Sequence, residues 1–191
     1  MFIQTEATPN PDVIKFLPGR EVLGEGATRE FRDAEQAAGS PLAAELFALG
    51  DVTRVFFGPD FLTVTRSAGG RGWLQLKPPV LAAIMDHFTS GRPLLLDETQ
   101  EGHDESAYDG DAAQIVAEIK DLLDTRIRPA VAQDGGDITF SRFEPETGAV
   151  FLNMRGACSG CPSSAATLRA GVENMLKHYV PEVTRVEQTF L

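Results

Sequence analysis

The stretch MRGACSGCPSS, Met154 to Ser164, holds both cysteines of the 191-residue chain, Cys158 and Cys161, spaced C-x-x-C. Two thiols so placed can close a disulfide, supply half of a four-sulfur metal site, or do neither. Gly156 and Gly160 let the backbone bend sharply and pass close to a ligand. Pro162 suits the first turn of a helix. The pattern therefore predicts a thiol loop between a strand ending at Met154–Arg155 and a helix opening at Pro162. A helix N-terminus there brings unpaired N–H groups and a partial positive charge beside the sulfurs. That field favours thiolate over thiol, and N–H groups aimed at sulfur stabilise the sulfides of a bound cluster.

Reading outward from this loop gives the second half of the chain. DITFSRF and AVFLNMR are predicted strands joined by EPETG, with Gly148 as the turn glycine. The DGGD of Asp134 to Asp137 reads as a plain turn. Upstream, Ile115, Ile119, Leu122 and Leu123 mark one face of a helix from about Asp111 to Arg128, with Pro129 beyond its last turn. Downstream of the loop, Leu168, Val172, Met175 and Leu176 line one side of a helix. PEVTRVEQT forms a last strand. The order is α-β-β-(CxxC)-α-β, an α+β domain over residues 111–191.

The first half, residues 1–96, reads as a separate mixed α/β domain. MFIQTEA and DVIKFLP are strands broken by Pro9–Pro11. Ser40-Pro41 is an N-cap followed by Pro at the first helical position, with the helix running to Gly50. VTRVFFG, Pro59-Asp60 and FLTVTR make a hairpin. KPPVLAAIMDHFTSG is a helix with proline near its start and Gly91 past its end. Between the halves, Asp97 to Asp111 carries seven acidic side chains and no Lys or Arg, a net −7, while the flanking regions are each only −2. Such a segment buries too little to offset the entropy of ordering. Residues 97–110 are expected to form an acidic, self-repelling linker.

The overall charge of −11 argues against nucleic acid, whose binding is driven by Lys and Arg. No apolar run approaches the ~20 residues of a membrane span. MFIQTEATPN has neither a basic nor an apolar leader region and is not Arg- and Ser-rich. A cytoplasmic protein is expected on that ground, in a compartment that keeps thiols reduced. A CxxC pair there points to metal or redox chemistry.

Ligand counting narrows the metal. Structural zinc sites and iron–sulfur cubanes usually take four protein ligands, and the chain has two cysteines. His178 lies about 25 Å from them if the helix after Pro162 is continuous, at ~1.5 Å per residue. His87 reads as a helix-face residue and His103 as a solvated loop residue. Two chains, each giving Cys158 and Cys161, supply four thiolates, and a two-fold dimer brings such patches together. A site shared across an interface can open, which suits delivery of a metal cofactor.

The stretch RPAVAQDGGDITF…GAVFLNMRGACSGCPSSAATLRAGVENMLKHYVPEV resembles the NifU-like C-terminal domain of Nfu-type iron–sulfur cluster scaffold and carrier proteins. MFIQTEATPNPDVIKFLPG and the runs after it resemble the N-terminal domain found ahead of it in one branch of that family. The resemblance covers nearly the whole chain and implies a non-enzymatic carrier. It implies a [4Fe–4S] cluster held between two protomers by Cys158 and Cys161, with a homodimer in the loaded form, a cluster donor and apo-protein clients. Two other readings stay open: a CxxC dithiol oxidoreductase and an inter-subunit zinc site. Against the dithiol, the flanking order is not expected to open a βαβ unit. Zinc is satisfied by the same four thiolates. Arg155 is a strand-end residue that could tune cluster charge, and Trp73 is expected to pack under a helix, with client contact as the sharper alternative.

Overall fold

Alternation of apolar residues along short β-branched runs and a three-to-four spacing elsewhere produce two compact units, Met1–Thr99 and Gln100–Leu191. The computed structural model describes residues 2–96, 108–159 and 162–189. The acidic stretch from Asp97 to Ala107, with His103, thus lies outside the described residues, as do Gly160 and Cys161.

In the first unit, strands β1 (Gln4–Ala7), β2 (Val13–Leu17), β3 (Arg29–Phe31), β4 (Val52–Phe57) and β5 (Leu62–Arg66) form one antiparallel sheet of order β1-β2-β5-β4-β3. Helices α1 (Ala34–Ala37), α2 (Pro41–Ala48) and α3 (Trp73–Ser90) complete it. Ser40 is the expected N-cap: its hydroxyl accepts the Ala43 N–H at 3.2 Å, an interaction that typically stabilises a helix by about 1 kcal/mol. Leu42 and Leu46 of α2 meet Phe16, Phe57, Leu62 and Val64 of the sheet, together with Leu76, Val80 and Ile84 from one side of α3.

Helix α3 starts four residues earlier than expected, leaving Pro78 and Pro79 inside it. Burial of Leu76 and packing of half-buried Trp73 against the core hold the first turn despite the prolines. The Trp73 indole N–H also donates to the Pro11 carbonyl at 3.1 Å. The helix stops at Gly91, in the left-handed conformation at φ 66°.

In the second unit α4 (Gly110–Leu122) does not end before Pro129. It passes through a π-helical turn (Leu123–Ile127) into α5 (Arg128–Gln133). In a regular helix the Pro129 ring would press on the carbonyl four residues back. The wider turn, in which Arg128 N–H donates to the Leu123 carbonyl, relieves that clash, so the expected boundary is corrected.

Strands β6 (Gly136–Glu144) and β7 (Ala149–Gly156) form the expected hairpin, with a bulge at Ser141. Helix α6 (Pro162–Tyr179) crosses over to β8 (Arg185–Thr189), which lies parallel to β7 in a sheet of order β6-β7-β8. The segment β7–α6–β8 is therefore a βαβ unit, contrary to expectation. A strand's direction is set by its crossover, and a helix of this length returns the chain to the end where β7 began. Ile119, Leu123, Ile138, Leu152, Met154, Val172 and Leu176 are among the residues that build the core between the helices and this sheet. The protein is thus α+β, with one helix-and-sheet layer in each unit.

His87 is buried on α3, and its Nδ1 has no hydrogen-bond partner. Burial, and secondarily the Arg92 cation, lower its pKa, against a weaker opposing pull from Glu45 and Asp86. The unfolded chain therefore takes up a proton that the folded first unit resists. Stability from this residue is present above its ordinary pKa of 6.5 and lost as pH falls below it. Urea denaturation between pH 7.5 and 5.5 is expected to show a steeper loss for wild type than for His87→Gln. Equal slopes would remove His87 as the cause.

Candidate functional site

The loop bearing the cysteines is fixed from below by the DGGD turn. Helix α5 gives way at Asp134, and Gly135 takes a φ of +81°, which favours glycine. Its carbonyl then accepts the Ala157 N–H at 3.1 Å. Gly136 opens β6 opposite Gly156, the last residue of β7. The thiol loop thus leaves the sheet directly over the strand that follows the turn. Gly156 has the expected bent backbone, at φ +63°. The loop folds back at once, because Ser159 N–H and the Ser159 hydroxyl both donate to the Gly156 carbonyl, at 3.1 and 2.9 Å.

Cys158 is buried, 6% exposed, against the core of its unit. Its sulfur rests on Gly136. A Cβ at that glycine would overlap Cys158 Sγ and lie 2.9 Å from the Arg155 carbonyl oxygen. Gly136 is therefore required for close approach rather than for an unusual φ. A short way past Cys158, α6 begins at Pro162 as expected. Cys161, the other predicted ligand, lies outside the described residues.

Asp137, next to Gly136, is 3% exposed. Arg128 grips both its carboxylate oxygens, from Nε at 2.8 Å and Nη2 at 3.1 Å. Arg128 Nη1 also donates to Asp124 Oδ1 at 3.0 Å. Hydrogen bonding and charge from Asp137, then Asp124, hold the Arg128 pKa well above its usual value against the effect of burial. Asp137 Oδ1 further accepts the Ile138 N–H at 2.9 Å. DGGD is thus more than the plain turn expected. Gly136 supports a sulfur, and Asp137 anchors the strand to the preceding helix. No sequence signal marks the anchor, because β6 also carries Thr139, Ser141, Arg142 and Glu144, and the burial that demands a partner for Asp137 arises only in the fold.

The histidines do not join the site. Helix α6 runs without interruption from Pro162 to Tyr179, and His178 is exposed at its far end, edge-on to Tyr179. His87 belongs to the first unit. Among the described residues no three His, Cys, Asp or Glu side chains gather to hold a metal. Arg155 lies opposite Asp137 in the β6–β7 register. Among the described residues no helix is long and apolar enough to cross a membrane.

Comparison with known proteins places these features in a family. Residues 3–91 match the scaffold protein Nfu/NifU N-terminal family, and residues 119–187 match the NifU-like domain. The chain is 52% identical over 190 residues to NifU-like protein 4, mitochondrial, of Arabidopsis thaliana, covering 100% of this chain and 66% of that protein. It is 51% identical to NifU-like protein 5, mitochondrial, of the same plant, covering 68% of it. It is 53% identical to the NFU1 iron-sulfur cluster scaffold homolog, mitochondrial, of Drosophila ananassae, covering 65% of it. The solution structure of a NifU-like protein from Saccharomyces cerevisiae superposes with a TM-score of 0.46 at 25% identity, over 51% of this chain and 87% of that one. A likeness this loose adds nothing to the sequence match. The chain belongs to the Nfu/NifU-like family, and it spans about two thirds of the length of these relatives.

The cytoplasmic expectation is corrected by the same comparison, since these relatives are named mitochondrial. It rested on the first ten residues having no leader character. Where relatives extend beyond the matched chain, those ten residues carry no information on compartment.

The contact beneath the sulfur can be tested directly. Gly136→Ala is expected to destabilise the second unit by about 1–3 kcal/mol, the usual range for overpacking, and to raise the rate at which Cys158 is alkylated. Urea denaturation and thiol labelling measure the two effects. A Gly136→Ala chain unchanged in both would show that the contact does not hold the sulfur.

Proposed function

We propose that this protein is an iron–sulfur cluster scaffold and carrier. Two copies each contribute Cys158 and Cys161, and together they hold a [4Fe–4S] cluster that is passed to apo-proteins. One observation carries the reading: a cysteine supported on a glycine lies just ahead of a long helix, and among the described residues no three His, Cys, Asp or Glu side chains gather to hold a metal. Four thiolates then come from two chains, as a two-fold contact supplies them. Family membership supports the same reading, because relatives are named as iron–sulfur cluster scaffolds.

The donor chemistry fits such cargo. Thiolates are the usual protein ligands of iron–sulfur clusters. The N-terminus of α6 offers N–H groups and partial positive charge to an anionic cargo. Delivery is then ligand exchange: incoming client thiolates replace the four of the pair, and no covalent bond of the chain is made or broken. The protein acts as a carrier rather than an enzyme, with a cluster donor upstream and apo-protein clients downstream.

The βαβ setting favours one competing reading, a dithiol oxidoreductase. Burial of Cys158 opposes it, since reactive cysteines sit in partially exposed sites. Such an enzyme would reduce disulfides without iron.

Anaerobic reconstitution with iron and sulfide separates the readings. Wild type is expected to turn brown and bind both elements. Cys158→Ala and Cys161→Ala are each expected to lose all cluster uptake while keeping the wild-type far-ultraviolet circular dichroism. Full iron content in either variant would overturn the ligand assignment. A colourless protein retaining one zinc per two chains would replace the cargo with zinc.

A further inference from the structure

The thiol loop is held by more than the residues that would bind cargo. Asp137 is buried at the start of β6, and Arg128 clamps it with two donors while Asp124 takes a third. Side chains alternate along a strand. Cys158 Sγ therefore lies on the side of the chain where Gly136 lacks a Cβ, and the Asp137 carboxylate lies on the other. Sulfur and guanidinium bracket the first two residues of β6 from opposite faces. The π-helical turn ends one residue before Arg128. It rephases the side chains that follow, and turns of this kind recur at functional sites.

We propose that Arg128 is a positioning residue for Cys158. Its clamp on Asp137 fixes the strand start that carries Gly136, and Gly136 is the surface on which the sulfur rests. As a statement about cargo, the inference rests on the proposed function above; as a statement about the sulfur, it rests on the geometry alone. Without the guanidinium, Asp137 loses a two-pronged charged partner while it stays buried, which costs stability at that point. The strand start is then free to shift. Gly136 shifts with it, and the sulfur loses its support.

The test uses the full chain without cluster, in a Cys161→Ser background so that one thiol is read. Cys158 is alkylated with iodoacetamide at pH 7, well below each variant's melting midpoint, with and without dilute urea. Arg128→Gln is expected to speed alkylation about tenfold through local opening, with little response to urea. Arg128→Lys keeps the charge but loses the two-pronged grip, and is expected to fall between the two. In the two-cysteine chain, Arg128→Gln is expected to lose a reconstituted cluster several-fold faster to a chelator. A folded Arg128→Gln chain with the wild-type alkylation rate would overturn the proposal. So would a faster rate that climbs with urea as steeply as global unfolding does, since the clamp would then serve stability alone. If Arg128→Gln does not fold, Asp137→Asn takes its place, and the same two results would overturn the proposal. If wild type binds no iron but the alkylation series behaves as described, the cargo reading fails and the positioning role stands.

Discussion

The site depends on one steric constraint: the strand that starts at Gly136 must pass close enough to the thiol loop for a sulfur to rest on its backbone. A side chain there would occupy the space of Cys158 Sγ. The approach is closed by the Gly135 carbonyl, which takes the Ala157 N–H, and by pairing of Gly136 with Gly156 at the open end of the hairpin. Turn, strand end and thiol loop therefore form one backbone assembly. The long crossover helix begins at Pro162.

This constraint links folding to chemistry. Burial usually disfavours thiolate, while a helix N-terminus favours it. Cys158 is buried, and α6 begins at Pro162. On the proposed reading one chain supplies only two of four thiolates, and among the described residues no three His, Cys, Asp or Glu side chains gather to hold a metal. Incompleteness is useful in a carrier. A cluster fully enclosed by one polypeptide would be released only by opening its fold, whereas one shared between two copies is released when they separate.

Much of the architecture was legible in local chemistry. Ser40-Pro41 announced α2, since a hydroxyl cap and a fixed proline φ act within one turn. The β4–β5 and β6–β7 hairpins followed from apolar alternation around turn residues. What escaped depends on partners distant in sequence. Strand β3 is three residues long and carries Arg29 and Glu30, so its pattern is too short to read. The parallel direction of β8 is a property of its pairing with β7. Pro129 misled because its cost vanishes in a wide turn that no local rule requires. In the site, the loop and the helix after it were visible from Gly156, Pro162 and the cysteine spacing. The roles of Gly136, Asp137 and Arg128 were not, because a close approach and an ion pair across nine residues exist only once the sheet has formed.

The central claim is stoichiometric: one chain brings two sulfur donors, and a second copy brings the other two. Native mass spectrometry of the anaerobically reconstituted protein measures this most directly. The expected result is a loaded species with the mass of two chains and a single Fe₄S₄ core, with the unloaded chain running apart from it. A loaded species of one chain with an intact Fe₄S₄ core and no added thiol would contradict it.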